Sequence, residues 1–234
     1  MTATRYVERF GVELEGGWDQ SPPASDRLRR DSSVHNCAGE SYVGECTSHP
    51  FAILDEGLLW IEENYPQHRS TSCGLHVHMS FDPHPLCVSY LADSTAYWLA
   101  LKADLEGWGK QRNVKRKDFY SRLRGENSYC RTEEDWEQQS RWALKGEESE
   151  RYRAVNFASL NKHGTIEIRV LPMFSSAKLA VGAVSTVLTA TDNYLSRCFA
   201  DDDLNTPIEE TTDHNLPGDS IVIAPFDPLA DGGA

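Results

Sequence analysis

The sequence of 234 residues predicts an α+β fold with a mainly antiparallel sheet. Three segments alternate between apolar and polar residues, as half-buried antiparallel strands do. Longer segments between them repeat apolar residues at helical spacing. Strands and helices follow one another without the glycine-rich turns of a nucleotide-binding parallel sheet. We therefore expect helices packed on the apolar face of an antiparallel sheet.

The first quarter of the chain is predicted to contain two strands. Residues 5–15 alternate between apolar and polar side chains, so we expect a strand there. The glycine pair at 16–17 is expected to end it, because glycine weakens a strand. The polar segment 18–40 contains two prolines and is interpreted as a loop, and a short strand is expected at 42–46.

The central part of the chain is predicted to alternate between helix and strand. A helix is expected at 51–65, and Pro66 is expected to end it. Its apolar face is expected to contain Ile53, Leu54, Leu58 and Ile61. A second alternating strand is expected at 75–81, and apolar residues at helical spacing then predict a long helix at 86–108.

The last folded elements are a strand and a helix. A third alternating strand is expected at 154–171, broken by a turn at 162–164, and a helix rich in Ala, Val and Leu at 177–198. Beyond position 200 the chain is acidic and contains four prolines. We therefore expect a domain at 1–200 and a mobile or loosely docked tail at 201–234.

The charge of the chain limits its partners. A net charge of −13 argues against general nucleic-acid binding. Residues 102–131, however, contain nine Lys or Arg against four Asp or Glu. This basic segment indicates either a local anionic ligand or a solvated helical face, and both interpretations stay open.

The distribution of apolar residues and cysteines predicts a cytoplasmic protein with no membrane partner. No run approaches the roughly 18 apolar residues of a membrane helix, and Arg5, Glu8 and Arg9 interrupt any apolar signal segment. The six scattered cysteines are expected to be free thiols. A zinc site at Cys37 and Cys46 with a nearby histidine is the alternative.

Metal-binding and charged side chains gather on one face of each alternating strand. Every second residue of a strand shares a face. Solvent faces usually carry Thr, Lys, Gln and Ser, whereas these faces carry carboxylates, imidazoles and a guanidinium. The polar faces hold Glu13 and Glu15 on the first strand, His76, His78 and Ser80 on the second, and Thr165, Glu167 and Arg169 on the third.

These faces predict a divalent-metal site if the three strands share one sheet. Glu13 and Glu15 would stand about 7 Å apart and repel each other unless a cation or an arginine lies between them. With Glu167 and one histidine they form a set of hard ligands that suits Mg²⁺ or Mn²⁺. Arg169 would place a positive fork where phosphate oxygens could bind.

Three motifs give these residues a family resemblance. They are Phe-Gly-Val-Glu-Leu-Glu at 10–15, Cys-Gly-Leu-His-Val-His-Met-Ser at 73–80 and Gly-Thr-Ile-Glu-Ile-Arg at 164–169. Together with a Gly-Glu-x-x-Ser-x-Pro segment at 44–50 and with Asn156, they resemble the amidoligase family. That family is similar to glutamine synthetase and γ-glutamylcysteine ligase, and the resemblance spans about residues 6–195 in the same order.

The resemblance implies a glutamine synthetase-like sheet curved into an active-site cup. It also implies an ATP-dependent carboxylate–amine ligase that forms an amide bond through an acyl phosphate, with small-molecule or peptide carboxylates and amines as substrates. The implied metal ligands are Glu13, Glu15, Glu45, His76 and Glu167. The implied contacts with ATP are His78, Ser80 and Arg169, with Asn156 on the substrate side. Glu13, Glu167 and Arg169 would be catalytic, and Arg124, Tyr129 and Arg153 match the family more loosely.

Two other functions stay open. A metal-dependent amide hydrolase would use His76, His78 and a glutamate to hold Zn²⁺ and activate water, although this leaves Arg169 without a role. A nucleotide- or peptide-binding relative without turnover would keep the same side chains. The chain is also much shorter than glutamine synthetase, so sharing of sites between subunits does not carry over from the resemblance.

Overall fold

Six strands within the described residues form one sheet, and each pairing between them is antiparallel. The computed structural model describes residues 4–31, 34, 42–93, 95–115, 117–128, 130–132 and 151–205. The strands are β1 (Val7–Trp18), β2 (Leu28–Arg29), β3 (Tyr42–Thr47), β4 (Gly74–Phe81), β5 (Val155–Asn156) and β6 (Ile166–Pro172). Their spatial order is β2-β3-β1-β4-β6-β5, so β1 and β4 lie side by side at the centre.

Helices accompany this sheet, which confirms the predicted α+β class. They are α1 (Leu54–Glu63), α2 (His84–Asp93), α3 (Ala96–Gln111), α4 (Lys117–Leu123), α5 (Ser159–His163) and α6 (Ala177–Asn205). The long helix α6 contacts α1, α2 and α3, and it also contacts strands β1 and β4. It therefore packs against three other helices and against both central strands of the sheet.

One face of the sheet is apolar and forms the core. Its side chains include Leu14 of β1, Leu75 and Val77 of β4, and Ile168 and Val170 of β6, and none of these five has measurable exposure. Burying a side chain of this size contributes about 1.5–3 kcal/mol. The alternation predicted from the sequence is confirmed, because the residues between these positions point to the opposite face.

The first strand continues through the glycine pair that was expected to end it, so that prediction is wrong. Gly16 packs against Pro66 so closely that an added Cβ would lie 2.6 Å from the Cβ of Pro66. Gly17 exchanges two backbone hydrogen bonds with His68. The glycines therefore allow another segment to approach the strand, which extends to Trp18.

Four predictions about the helices and the turn also need correction. The helix expected at 86–108 is two helices that meet near Thr95, a poor helix former. The short helix α5 replaces the turn expected at 162–164 and ends at Gly164, whose φ of 66° is left-handed. The last helix, α6, continues to Asn205, past the helix end expected at 198. The domain boundary at 200 stays a prediction, because residues 206–234 of the expected tail lie outside the described residues. Ile53 is 55% exposed and is not part of the apolar face of α1.

Two other predictions from composition can be compared with the fold. Five cysteines lie within the described residues and all five are free, whereas Cys37 of the alternative zinc site lies outside them. Cys46 donates a hydrogen bond to the Ala24 carbonyl, and burial raises the pKa of its thiol to about 12. Among the described helices, none offers a stretch long and apolar enough to span a bilayer. The cytoplasmic location stays a prediction.

Arg122 of α4 is buried and ties together the ends of two site strands. Its guanidinium donates to the carbonyl oxygen of Leu171 on β6, and to those of Thr71 and Cys73 immediately before β4. The side chain is 2% exposed. This member of the basic segment therefore has a structural role, because it donates to the buried carbonyl groups of Leu171 and Cys73.

Replacing Arg122 with Met should lower the free energy of unfolding by about 2 kcal/mol, because it removes the hydrogen bonds to two buried carbonyl groups. Urea denaturation followed by circular dichroism measures this change. Arg124→Met is the matched control, since the exposed Arg124 forms an ion pair with the exposed Glu126. An Arg122→Met variant as stable as the control variant would contradict the structural role.

Candidate metal centre

The register of the sheet brings the predicted site residues onto one face. Residues directly opposite each other on neighbouring strands point to the same side, with Cβ atoms about 5 Å apart. The opposite pairs on this face are Glu15 with Glu45, Glu13 with His76, His78 with Glu167, and Glu167 with Asn156. Strand pairing alone therefore brings side chains from five strands into one row across the sheet.

A first group of candidate metal ligands consists of Glu13, His78 and Glu167. One ligand atom from each residue lies within 4.8 Å of the others. The Nε2 atom of His78 lies 2.9 Å from Glu13 Oε1 and 3.9 Å from Glu167 Oε1. His78 and Glu167 are each 4% exposed, so this group is almost removed from solvent.

A second group consists of Glu15, Asp31 and Glu45, again with one carboxylate oxygen from each within 4.8 Å of the others. Asp31 belongs to the segment that follows β2, and sequence reasoning missed it. Glu45 Oε1 accepts a hydrogen bond of 3.0 Å from the Thr47 hydroxyl. Glu15 Oε2 accepts from the backbone N–H of Gly74. Both contacts orient the carboxylates on the shared face.

His76 lies between the two groups. Its Nδ1 atom is 2.8 Å from Glu13 Oε2 and 3.3 Å from Glu167 Oε1. Its Nε2 atom is 3.7 Å from Glu15 Oε1. The ring fits there because residue 74 is glycine, since a Cβ at Gly74 would lie 2.6 Å from His76 Nε2. This glycine is thus a second site residue that sequence reasoning did not single out.

Glu167 is held from two sides. Arg169 donates to Glu167 Oε1 over 2.5 Å, and Asn156 Nδ2 donates to Glu167 Oε2 over 2.6 Å. The amide oxygen of Asn156 in turn accepts from the backbone N–H of Ala158, which sets the orientation of the amide. Among the described residues, none accepts a hydrogen bond from the buried Nε atom of Arg169. The arginine therefore retains donor capacity at the site.

The two groups differ in their electrostatic balance. Burial alone would raise the pKa of Glu13 and of Glu167, but the histidines lower the former and chiefly Arg169 lowers the latter. Burial raises the pKa of Glu15. Burial and the charges of Glu13 and Glu15 raise the pKa of Glu45 well above its usual range. His76 and Arg169 also lower the pKa of Glu15, but burial outweighs them. The second group therefore gains most from a cation.

The structure places the remaining predicted residues as follows. Ser80 lies on the same face, and its hydroxyl is 3.5 Å from the Arg9 carbonyl at the edge of the site. Arg124 is paired with Glu126 at the surface. Arg153 is buried beside β5, and Tyr129 lies outside the described residues. The residues brought together are thus Glu13, Glu15, Glu45, His76, His78, Asn156, Glu167 and Arg169.

No protein-family model, curated protein or solved structure matches this chain. The resemblance to the amidoligase family stays a prediction that rests on the motifs themselves.

Replacing Glu45 with Gln should stabilise the protein in the presence of a chelator. Glu45 and Glu15 lie directly opposite each other on neighbouring strands. Like charges in such a pair lower the free energy of unfolding by up to about 1 kcal/mol, which lowers the melting temperature by about 3 °C. Because the pKa of Glu45 is raised on folding, its charge opposes folding at neutral pH, and this penalty fades as the pH falls through the raised pKa. Differential scanning calorimetry in EDTA measures the change.

Glu8→Gln is the control for this experiment, since Glu8 is an exposed carboxylate of the same strand as Glu15. It should leave the melting temperature in EDTA unchanged. A Glu45→Gln protein that melts below the wild type in EDTA would contradict the predicted repulsion.

Proposed function

We propose that this chain is an ATP-dependent carboxylate–amine ligase that uses two divalent cations, Mg²⁺ or Mn²⁺. The observation that carries the proposal is the adjacency of two ligand groups, Glu13/His78/Glu167 and Glu15/Asp31/Glu45, on one face of the sheet. His76 separates them, and Arg169 stands beside Glu167. Paired cation sites next to an arginine suit the transfer of a phosphoryl group.

The donor atoms of both groups fit the proposed cations. The first group offers carboxylate oxygens and one imidazole nitrogen, and the second offers only carboxylate oxygens. Hard cations such as Mg²⁺ and Mn²⁺ favour oxygen ligands and accept an imidazole. None of the eight residues brought together on this face is a serine or cysteine nucleophile, which favours a mechanism without a covalent enzyme intermediate.

The proposed reaction joins two substrates in two steps. A substrate carboxylate attacks the γ-phosphorus of ATP to give an acyl phosphate and ADP, and an amine then displaces phosphate to give the amide. Two anions must approach in the first step, and bound cations would supply the charge that neutralises them. The guanidinium of Arg169 would bind phosphate oxygens through donors that Glu167 does not use. Glu13 and Glu167 would hold the reacting groups in place.

The proposal also includes a sheet curved into a cup, a catalytic domain that ends near position 200, and small-molecule or peptide carboxylates and amines as substrates. Asn156 would lie on the substrate side through its contact with Glu167. Ser80 would contact ATP from the edge of the face, where it is partly exposed.

A zinc-dependent amide hydrolase is the second candidate, and one observation favours it. Nitrogen atoms of His76 and His78 lie 2.8 Å and 2.9 Å from the two oxygens of Glu13, so two imidazoles and a carboxylate meet at one point. This donor set is common for zinc. The hydrolase gives no role to the Glu15/Asp31/Glu45 group, which is why we prefer the ligase.

The ligase predicts that ATP together with MgCl₂ raises the melting temperature, and that Glu167→Gln abolishes this shift because the first group loses a charged ligand. A ligand that binds only the folded protein raises the free energy of unfolding by about 2.7 kcal/mol when its free concentration is a hundred times its Kd. Thermal shift assays with ATP, Mg²⁺ and both measure it. Glu126→Gln, a carboxylate at an exposed ion pair, is the control and should respond like the wild type.

Turnover is tested by ADP release in the presence of a panel of amino acids, polyamines and peptides. The ligase requires release that depends on both a carboxylate and an amine. Stoichiometric zinc in the purified protein without any response to ATP would contradict the ligase and favour the hydrolase. A response to ATP without turnover on any pair would favour a binding relative.

A further inference from the structure

The second ring nitrogen of His78 is held by two buried hydroxyl groups. Its Nδ1 atom lies 3.1 Å from Thr165 Oγ1 and 3.3 Å from Ser159 Oγ, and the two hydroxyl oxygens are 3.0 Å apart. Thr165 is fully buried and Ser159 is 3% exposed. The three polar groups thus form a closed triangle on the side of the imidazole that faces away from Glu13.

The local fold explains how these hydroxyls come together. Ser159 begins the short helix α5, and Thr165 follows immediately after Gly164, which ends that helix in a left-handed conformation. The turn therefore returns the chain to the first residue of the helix. His163 of the same helix lies edge-on to the His78 ring, with ring centroids 5.9 Å apart.

His76 has no such arrangement in the contacts that its ring makes. Its Nδ1 atom faces Glu13 and Glu167, and its Nε2 atom faces Glu15. Both nitrogens of His76 are therefore turned toward carboxylates. In His78, by contrast, Nε2 faces carboxylates and Nδ1 faces hydroxyl groups, which can accept a hydrogen bond from a ring N–H.

We propose that Thr165 and Ser159 are positioning residues that present His78 as a metal ligand through Nε2. A neutral imidazole that gives its Nε2 lone pair to a cation carries its proton on Nδ1. That buried N–H needs an acceptor, and the two hydroxyls supply one while hydrogen bonding to each other. The inference rests on the proposed cation between Glu13 and Glu167. It also reverses the roles that the family resemblance implies, in which His76 binds metal and His78 binds phosphate.

Titration calorimetry with MnCl₂ alone tests this role. Loss of a group that orients a metal-bound histidine typically weakens binding about 10- to 100-fold. We expect Thr165→Val to weaken Mn²⁺ binding at the first group by at least about tenfold and Ser159→Ala to weaken it less, because its oxygen is farther from Nδ1. Thr165→Ser should restore the wild-type Kd, because it restores the hydroxyl.

Thr191→Val is the matched control. Thr191 is also a buried threonine, and its hydroxyl bonds to Tyr97 and to the Val187 carbonyl on the helical side of the protein. Thr191→Val replaces a hydroxyl with a methyl group, as Thr165→Val does. It should lower the melting temperature without changing the Kd for Mn²⁺. Equal Mn²⁺ affinity of Thr165→Val and Thr191→Val would overturn the proposed role.

Nitrogen-15 NMR of the imidazole side chains gives a second readout that does not depend on variants that fold poorly. In the wild type with MgCl₂, His78 should be neutral with the proton on Nδ1. A proton on Nε2 under these conditions would overturn the inference while leaving metal binding by other residues intact. A wild-type protein that binds neither Mn²⁺ nor Mg²⁺ would overturn the proposed function together with this inference.

Discussion

The burial of several carboxylates close together on one sheet face is the constraint on which the rest of the structure depends. Four glutamates from three strands stand on this face, and Glu15 and Glu45 are directly opposite each other. Removing such groups from water raises the pKa of both carboxyl groups, and a folded chain tolerates them only with compensating charges. The histidines and Arg169 supply this compensation for Glu13 and Glu167, and a cation would supply it for the second group.

The opposite, apolar face of the sheet stabilises the fold and so offsets the free-energy cost of burying charged groups at the site. Branched and long aliphatic side chains from the central strands are fully buried against α6 and its neighbours. Hydrogen bonds from Arg122 link the end of β6 to the start of β4, the strand that carries His76 and His78. Rigid placement of the strands matters because metal ligands act only when their atoms converge within about 0.5 Å of the required geometry.

Much of this arrangement follows from the sequence because strand geometry is periodic. Alternation placed Glu13, His76 and Glu167 on the polar faces of three strands, and antiparallel pairing then brought them into contact. Periodicity carries no information about Asp31, which follows a two-residue strand in a segment without alternation. Nor does it reveal Ser159, because its approach to His78 depends on a helix where the sequence predicted a turn. The prediction that the glycine pair at 16–17 ends the first strand was wrong for a similar reason, because these glycines allow another segment to approach the strand.

Crystals grown with MnCl₂, measured near the manganese absorption edge, test the central claim most directly. The account predicts two anomalous peaks, one among Glu13, His78 and Glu167 and the other among Glu15, Asp31 and Glu45. A single zinc peak bound by both His76 and His78, or no peak on this face at saturating Mn²⁺, would contradict it.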